Sequence, residues 1–350
     1  MMVMTVAEKR IVIFVDYRGQ FYSSLRVSTG GMDLDVAVAK LTALGYTCEL
    51  RAFGKFDPTE RFDNVVVLYQ SSEDRGLVYK SFIHDVLLQV EKNGGVLLPR
   101  LDLFHAHENK VYQAFLLQGL SIDKLNVPAS TAFGCYEELV DSIPDFKYPV
   151  VVKASAGCQS VGVRKANDSR ELLRVAKSLS STFNVFDALR FLAKSYVRPG
   201  YVKESLNRGK LVIQEFVSNL DGDYKVLVYG DTAFALSRRN RPNDFRASGS
   251  GLFSYERETP SEVLEAAWQI REHFNCPYIS IDLAIDKETR DCYLIELQFL
   301  MFGTYTLEKA PFCFERSDRG WQVSERTSIL EEEFARSISQ YFDRMPTLTP

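Results

Sequence analysis

The first hundred residues alternate short apolar runs with amphipathic stretches, and this alternation limits the fold more than any other feature of the chain. Apolar runs rich in β-branched residues predict buried strands at Arg10–Asp16, Tyr46–Phe53, Asn64–Tyr69 and Val96–Pro99. Apolar residues at helical spacing predict helices at Met32–Leu44 and Leu77–Asn93, each followed by glycine. This β-α-β-β-α-β order indicates an open α/β sheet.

The remainder of the chain also mixes the two kinds of element, which places it in the α+β class. Strands are predicted at Tyr148–Ala154, Leu211–Val217, Asp223–Tyr229, Thr232–Ser237, Tyr278–Ile285 and Cys292–Leu297. Helices are predicted at Glu108–Leu120, at Ser169–Leu179 with a serine N-cap, at Ser261–Phe274 and at Ser328–Tyr341. Ser180–Lys210 mixes aromatic and basic residues without a clear period.

Composition excludes several classes of protein. A formal net charge of -4 over 350 residues argues against non-specific nucleic-acid binding, which requires a basic surface. Because no apolar run reaches the roughly 20 residues that span a bilayer and no signal-peptide core follows the N-terminus, we expect a cytoplasmic protein. The six cysteines are scattered, as expected for reduced thiols, and His105 and His107 lack a cysteine partner for zinc.

A lysine at the end of a buried strand suggests a phosphate site. Lys153 lies near the end of the run VVVKA, and the loop that follows contains Gly157, Ser160 and Gly162. Small residues let backbone N–H groups approach an anion, and the lysine adds a point charge. The alternative is a surface hairpin whose lysine faces solvent.

Two strand ends carry further candidates. Gln214–Val217 ends one strand, where a backbone C=O and N–H could pair with an adenine edge, and Asp223 follows as a candidate for ribose hydroxyls. Asp282 and Glu296 lie on consecutive strands, and Gln298 shares the parity of Glu296, so all three can face one spot. Such hard oxygen ligands suit Mg²⁺ held together with phosphates. The alternatives are an ordinary strand end and a solvated sheet face.

An arginine-rich segment follows the strand at Thr232–Ser237. Arg238, Arg239, Arg241 and Arg246 present guanidinium groups that match phosphate and carboxylate geometry. A basic surface loop is the alternative.

Taken in order, these features resemble those of ATP-grasp enzymes, within the branch of ribosomal-protein-glutamate ligase and glutathione synthetase. The pattern K-x-x-x-G-x-Q-x-[IV]-G-V matches Lys153 to Val163, and R-x(5)-DFR matches Arg238 to Arg246. A Q-E-F hinge and the pair Asp223 and Lys225 lie between them. The resemblance covers about Lys110 to Gln298, more than half of the chain.

The resemblance implies an ATP-grasp fold with four segments. Residues 1–106 would form the N-terminal open α/β, or pre-ATP-grasp, domain. Residues 107–147 would be a connecting helix and strand packed with the C-terminal domain. Residues 148–217 would form the small central lid subdomain, and residues 218–350 the C-terminal domain with the metal site.

The resemblance also assigns roles to residues. ATP contacts are implied for Lys110, Lys153, Gly157, Ser160, Gly162, Gln214, Glu215, Val217, Asp223 and Lys225. Magnesium, or manganese, would be held by Asp282, Glu296 and Gln298, and Arg238 together with Lys153 would stabilise the transferring phosphoryl group. The loop Ala154–Gly162 would close over the phosphates.

The implied reaction is an ADP-forming ligation of a carboxylate to an amine through an acyl phosphate. Two rivals remain: a kinase of the same fold, and a regulatory protein that binds ATP without turnover. The partners would be a small-molecule or peptide carboxylate and an amine, with no nucleic acid and no membrane. Whether the chain is a homodimer stays open.

Two departures from the family pattern concern the acceptor end. Gln298 stands where asparagine is usual, which lengthens the arm by one methylene. The bulky run Phe299–Thr306 replaces small residues and is expected to line the acceptor side. Substrate contacts are expected after the first and third strands, where open α/β sheets bind ligands, at Arg18, Ser23, Ser24, Ser71 and Ser72, and also at Arg246 in the arginine segment. The alternative is polar loop residues without a ligand.

Overall fold

The computed structural model describes residues 10–22, 31–143, 146–157, 162–220, 222–240, 251–286 and 288–344. They divide into two compact units, a larger one within residues 1–107, 122–126 and 221–350 and a smaller one within 108–121 and 127–220. This division differs from the predicted one, because most of the segment 107–147 belongs to the smaller unit rather than to the C-terminal domain.

The elements have the following bounds. The strands are β1 Arg10–Val15, β2 Thr47–Ala52, β3 Val66–Leu68, β4 Val96–Leu98, β5 Leu125–Asn126, β6 Ser130–Phe133, β7 Val150–Ala154, β8 Val163–Ala166, β9 Leu211–Glu215, β10 Asp223–Tyr229, β11 Thr232–Arg238, β12 Phe253–Ser254, β13 Tyr278–Ile285, β14 Cys292–Gln298, β15 Cys313–Ser317 and β16 Gly320–Ser324. The helices are α1 Leu34–Ala43, α2 Val78–Lys92, α3 Leu101–Ala106, α4 Lys110–Leu116, α5 Tyr136–Val140, α6 Ser169–Leu179, α7 Val185–Val197, α8 Ser261–Phe274, α9 Tyr305–Glu308 and α10 Leu330–Arg344.

The N-terminal strands form the open α/β sheet that the apolar pattern predicts. The order is β2-β1-β3-β4, and every pair is parallel. Parallel neighbours need long crossovers, which α1 and α2 provide after β1 and β3. The order reverses between β1 and β3, so the loops after these two strands lie at the same edge of the sheet.

The second sheet of the larger unit is mostly antiparallel. Its order is β16-β15-β11-β10-β13-β14-β5, and β12 adds to β11. The tight turn at Gly230 and Asp231 joins β10 to β11, as predicted. The strand pair β13–β14 also forms, with a register shift after Asp282. The hairpin of β15 and β16 was not predicted.

Aromatic side chains join the two sheets of the larger unit in one core. Phe334 of α10 is fully buried and contacts the rings of Phe21, Tyr22 and Tyr278. The hydroxyl groups of Tyr22 and Tyr229 lie 2.7 Å apart in a hydrogen bond. Burial of this aromatic cluster is therefore a main source of stability for the larger unit.

The smaller unit is built on a four-stranded antiparallel sheet in the order β6-β9-β7-β8. Its core is apolar and includes Val152, Leu211 and Ile213. Helix α6 has the predicted bounds, but its N-cap is Asp168, whose side chain accepts from the N–H of Glu171. The segment without a readable period contains helix α7.

The bulky run after β14 belongs to the core, which corrects the expectation that it lines the acceptor side. Phe299 packs on Phe274, and Phe302 packs on Tyr22 and Tyr229. From Phe299 to Thr306 only Gly303 and Tyr305 are exposed. Large apolar side chains gain more from burial in the core than they would at a wet site.

Replacing Phe334 by alanine is predicted to lower the free energy of unfolding by about 3–5 kcal/mol, because it leaves a cavity among three aromatic rings. Urea unfolding followed by circular dichroism measures this. Phe115→Ala removes a half-exposed ring and is the matched control, with an expected change below about 1 kcal/mol. Equal losses in the two variants would contradict this account of the core.

Candidate active site

One face of the large sheet gathers the predicted metal and phosphate residues of the larger unit. Residues directly opposite each other in antiparallel strands share a face. The register pairs Asp223 with Arg238, Lys225 with Asp282, and Asp282 with Glu296. Ser280 is paired with Gln298 two residues away along the same strands. The strand register therefore brings together every predicted site residue of β10, β11, β13 and β14.

Arg238 connects two buried carboxylates on this face. Its Nε donates to Oδ1 of Asp223 at 2.6 Å, and its Nη2 lies 2.7 Å from Oδ2 of Asp282. All three side chains are almost completely buried. Pairing of this kind is required here, because an unpaired buried charge is costly.

Lys225 adds a second cation beside Asp282. Its Nζ donates to Oγ of Ser280 at 2.9 Å and lies 3.8 Å from Oδ1 of Asp282. Gly222, just before β10, has φ +98°, and a β-carbon there would collide with the carbonyl oxygen of Arg238. The backbone of β10 can therefore approach Arg238 only because residue 222 is glycine.

Burial and like charge act together on the carboxylates. Burial raises the pKa of Asp223 to about 6, and the nearby carboxylate of Asp282 adds to the rise against the opposing effect of Arg238. Burial lowers the pKa of Arg238, but Asp282 and Asp223 outweigh it, so the pKa is raised overall and Arg238 stays charged. Asp223 is thus engaged by Arg238; its predicted ribose contact stays a prediction.

The donor set on β13 and β14 fits a magnesium ion that also binds phosphate. Asp282 and Glu296 are directly opposite, and the amide of Gln298 lies on the same face. Mg²⁺ in nucleotide sites is usually held by one or two carboxylates plus phosphate oxygens rather than by a full protein cage. The described residues contain no cluster of three or more acidic, histidine or cysteine side chains arranged for a metal.

In the smaller unit, Ser155 and Gly157, which follow β7, are held by hydrogen bonds to charged residues. The backbone N–H of Lys110 donates to the carbonyl of Ser155, and its Nζ donates to the carbonyl of Gly157 at 2.9 Å. The N–H of Gly157 donates to Oε2 of Glu108 at 2.7 Å. Gly157 has φ +119°, which favours glycine. The structure thus brings Lys110 to the residues that follow Lys153, and the phosphate contacts of the two lysines stay a prediction.

Lys210 is a residue of this loop region that the sequence did not reveal. Its Nζ donates to Oδ1 of Asn109 at 3.0 Å, and its carbonyl accepts from the N–H of Ser155. Partial burial lowers its pKa. Ala154 pairs with Leu211, so Lys210 is placed by strand register, and no local motif indicates it.

The end of β9 is anchored on both sides. Gln214 donates through Nε2 to Oγ of Ser130, and the backbone N–H of Glu215 donates to the carbonyl of Ala129. The ammonium of Lys165 lies 3.9 Å from the ring centre of Phe216. The Glu215 N–H is therefore engaged within the protein, while its side chain is exposed and Val217 is half-buried. Adenine contacts at this strand end stay a prediction.

Three predicted substrate residues, Arg18, Ser71 and Ser72, follow strands of the N-terminal sheet at its carboxyl edge. The guanidinium of Arg18 donates to a single oxygen of Asp16, Oδ2, from Nε at 2.8 Å and from Nη2 at 2.6 Å. Ser71 is buried, and Ser72 is half-buried and accepts from the N–H of Asp74. At Gly162 a β-carbon would lie only 3.0 Å from the β-carbon of Ala154. Five further candidates lie outside the described residues: Ser23, Ser24, Ser160, Arg241 and Arg246.

No protein-family model matches the chain. The D-alanine–D-alanine ligase of Acetivibrio thermocellus is 25% identical over 256 residues, which is 68% of this chain. The chain spans 59% of the length of that ligase. Among the described residues, no helix combines the length and apolarity needed to cross a bilayer.

Solved structures match nearly the whole chain. D-cycloserine synthetase has a TM-score of 0.54 at 14% identity, and the match covers 95% of this chain and 99% of that one. A RiPP-associated ATP-grasp ligase from Chryseobacterium gregarium, in complex with ADP and with a leader and core peptide, also has a TM-score of 0.54, at 12% identity, covering 97% and 98%. Together with the site geometry, these likenesses show that the chain has the ATP-grasp fold, as its motifs predict.

Proposed function

We propose that the chain is an ADP-forming carboxylate–amine ligase. The observation that carries this proposal is the sheet face on which Asp282 and Glu296 lie opposite each other beside Lys225 and Arg238. A carboxylate pair next to two fixed cations suits a metal-bound triphosphate, because each sign of charge has a counterpart in the ligand. The likeness to D-alanine–D-alanine ligase supports the reaction class.

The proposed roles follow the chemistry of each side chain. Lys110, Lys153 and Lys210 bind phosphate oxygens, Arg238 neutralises charge on the transferring phosphoryl group, and Asp282 and Glu296 hold Mg²⁺. When bound, the metal supplies Lewis-acid polarisation of the phosphate. Arg238 is paired with both Asp223 and Asp282 in this structure. A metal bound at Asp282 would compete for that carboxylate, and the guanidinium of Arg238 could then pair with a phosphate oxygen instead.

The reaction balances in two steps. An oxygen of the substrate carboxylate attacks the γ-phosphorus, the bond to the β–γ bridging oxygen breaks, and an acyl phosphate and ADP form. The amine nitrogen then attacks the acyl carbon, inorganic phosphate leaves with the electron pair of the broken C–O bond, and the nitrogen loses a proton. The protein contributes positions and charges rather than covalent chemistry.

The substrates are proposed as an amino acid or peptide carboxylate and an amine, in a cytoplasmic setting. Arg18, held rigid by Asp16 at the edge of the N-terminal sheet, suits an anionic group. A structural neighbour is known with leader and core peptides, which supports a peptide as one option. Magnesium-ATP with candidate amino acids and peptides tests this: ADP, inorganic phosphate and a ligated product in equal amounts indicate a ligase. A phosphorylated product without phosphate release indicates a kinase, and ATP binding without turnover indicates a regulator.

The double variant Asp282→Asn/Glu296→Gln is predicted to lower ATP turnover at least about 1,000-fold, because loss of the metal charge costs several kcal/mol of transition-state stabilisation. Magnesium titration with ATP turnover as the readout measures this. Glu288→Gln, on the exposed turn between the same strands, is the control and should retain wild-type turnover. Normal turnover in the double variant would show that the metal needed for turnover does not bind to Asp282 and Glu296.

Lys153→Met is predicted to abolish ATP turnover and leave the fold unchanged, because the side chain is only half-buried and methionine keeps its length. Turnover and thermal unfolding are measured together. Lys147→Met, an exposed lysine before the same strand, should behave as wild type. Full activity of Lys153→Met would show that this lysine does not contact the transferring phosphate.

Lys210→Met is predicted to raise the Kd for ATP about 10-fold with no loss of thermal stability, because it removes one exposed phosphate contact. Isothermal titration calorimetry with ATP in the presence of magnesium measures this. Lys203→Met, an exposed lysine of the same unit, is the matched control. An unchanged Kd would mean that Lys210 serves only to hold Asn109.

A further inference from the structure

Helix α7 exposes a continuous apolar face that neither the core nor the proposed reaction uses. Only Phe191 of this helix is fully buried. The exposed fraction ranges from 57% to 94% over the large apolar residues of the opposite face, which are Val185, Phe186, Leu189, Leu192, Tyr196 and Val197. Isolated exposed apolar residues are ordinary, but a whole helix face of them marks an interaction surface.

The spacing of this face suits another helix. Val185, Leu189, Leu192 and Tyr196 follow each other at steps of four, three and four residues, which is the seam of a helix pair. Asn184 caps the helix by accepting from the N–H of Phe186, so the seam begins at a fixed helix end. A helix can therefore pack along this seam over three turns.

The charges of α7 lie away from the seam. Asp187, Arg190 and Lys194 are spaced by three and four residues on the side of Phe191, and Asp187 pairs with Arg190 at 3.6 Å. An acidic or basic partner would find no complementary charge along the seam. Two copies of the same seam meet without like charges opposite each other, so an identical partner is compatible.

The exposed area is also large enough for a dimer. Aromatic side chains bring about 150–250 Å² each to an interface, so two of them and four aliphatic neighbours offer on the order of 700 Å² per protomer. A standard interface buries about 800 Å² on each partner. We propose that the apolar face of α7 is a homodimer interface, in which the face packs against its copy in a second chain.

Sedimentation velocity from about 1 to about 100 µM protein tests the proposal, because dimerisation depends on concentration. Wild type is expected to shift from monomer to dimer over this range. Leu189→Glu/Leu192→Glu is expected to weaken the dimer at least about 100-fold, since it buries unpaired charge. Val78→Glu, an exposed valine at the start of α2, is the control and should dimerise as wild type does.

Tyr196→Arg separates loss of the interface from loss of the fold, because a side chain that is 94% exposed contributes little to the stability of the monomer. It is expected to weaken the dimer about 10-fold with an unchanged thermal unfolding midpoint. Amide exchange in residues 185–197 should slow as wild-type concentration rises. A wild type that stays monomeric, or a dimer that survives both the double variant and Tyr196→Arg, would overturn the proposal.

Discussion

The bridge from Arg238 to Asp223 and Asp282 is the interaction on which the proposed site depends. It places a guanidinium between two carboxylates that belong to different strands and are both removed from water. Without it, two like charges would share a buried face, and the raised pKa of Asp223 shows the cost that remains even with it. The pairing places an opposite charge against the carboxylate of Asp282, at the position where a divalent cation would bind.

Strand register turns this local pairing into a site. Asp282 is opposite Lys225 on one side and Glu296 on the other, so one residue connects three strands. The register shift after Asp282 changes the pairing of β14 only beyond this point and leaves Glu296 and Gln298 aligned with Asp282 and Ser280. Tyr229 and Tyr278 are paired further along the same two strands and share the face of Lys225 and Asp282, so their burial in the aromatic core favours this register.

Elements with a clear hydrophobic period or a motif were predictable from the sequence. The observed bounds lie close to the predicted ones for the N-terminal α/β sheet and for helices α6, α8 and α10. The same holds for the strands that carry Asp223, Arg238, Asp282 and Glu296. Contacts that depend on the pairing of distant strands were not predicted. Lys210, for example, reaches Asn109 only because β7 and β9 pair. The run after β14 was misassigned because bulky residues near a motif fit either a site or a core, and only packing decides.

Anomalous X-ray diffraction from crystals grown with Mn²⁺ and ADP tests the central claim most directly, because it locates the cation without assuming a substrate. The account predicts a manganese peak within coordination distance of Asp282 and Glu296, about 2.0–2.2 Å for a hard cation of this kind, with a phosphate oxygen completing the shell. Arg238 should then no longer contact Asp282. Bound ADP with manganese elsewhere, or with no manganese while Arg238 still bridges both aspartates, would contradict the account.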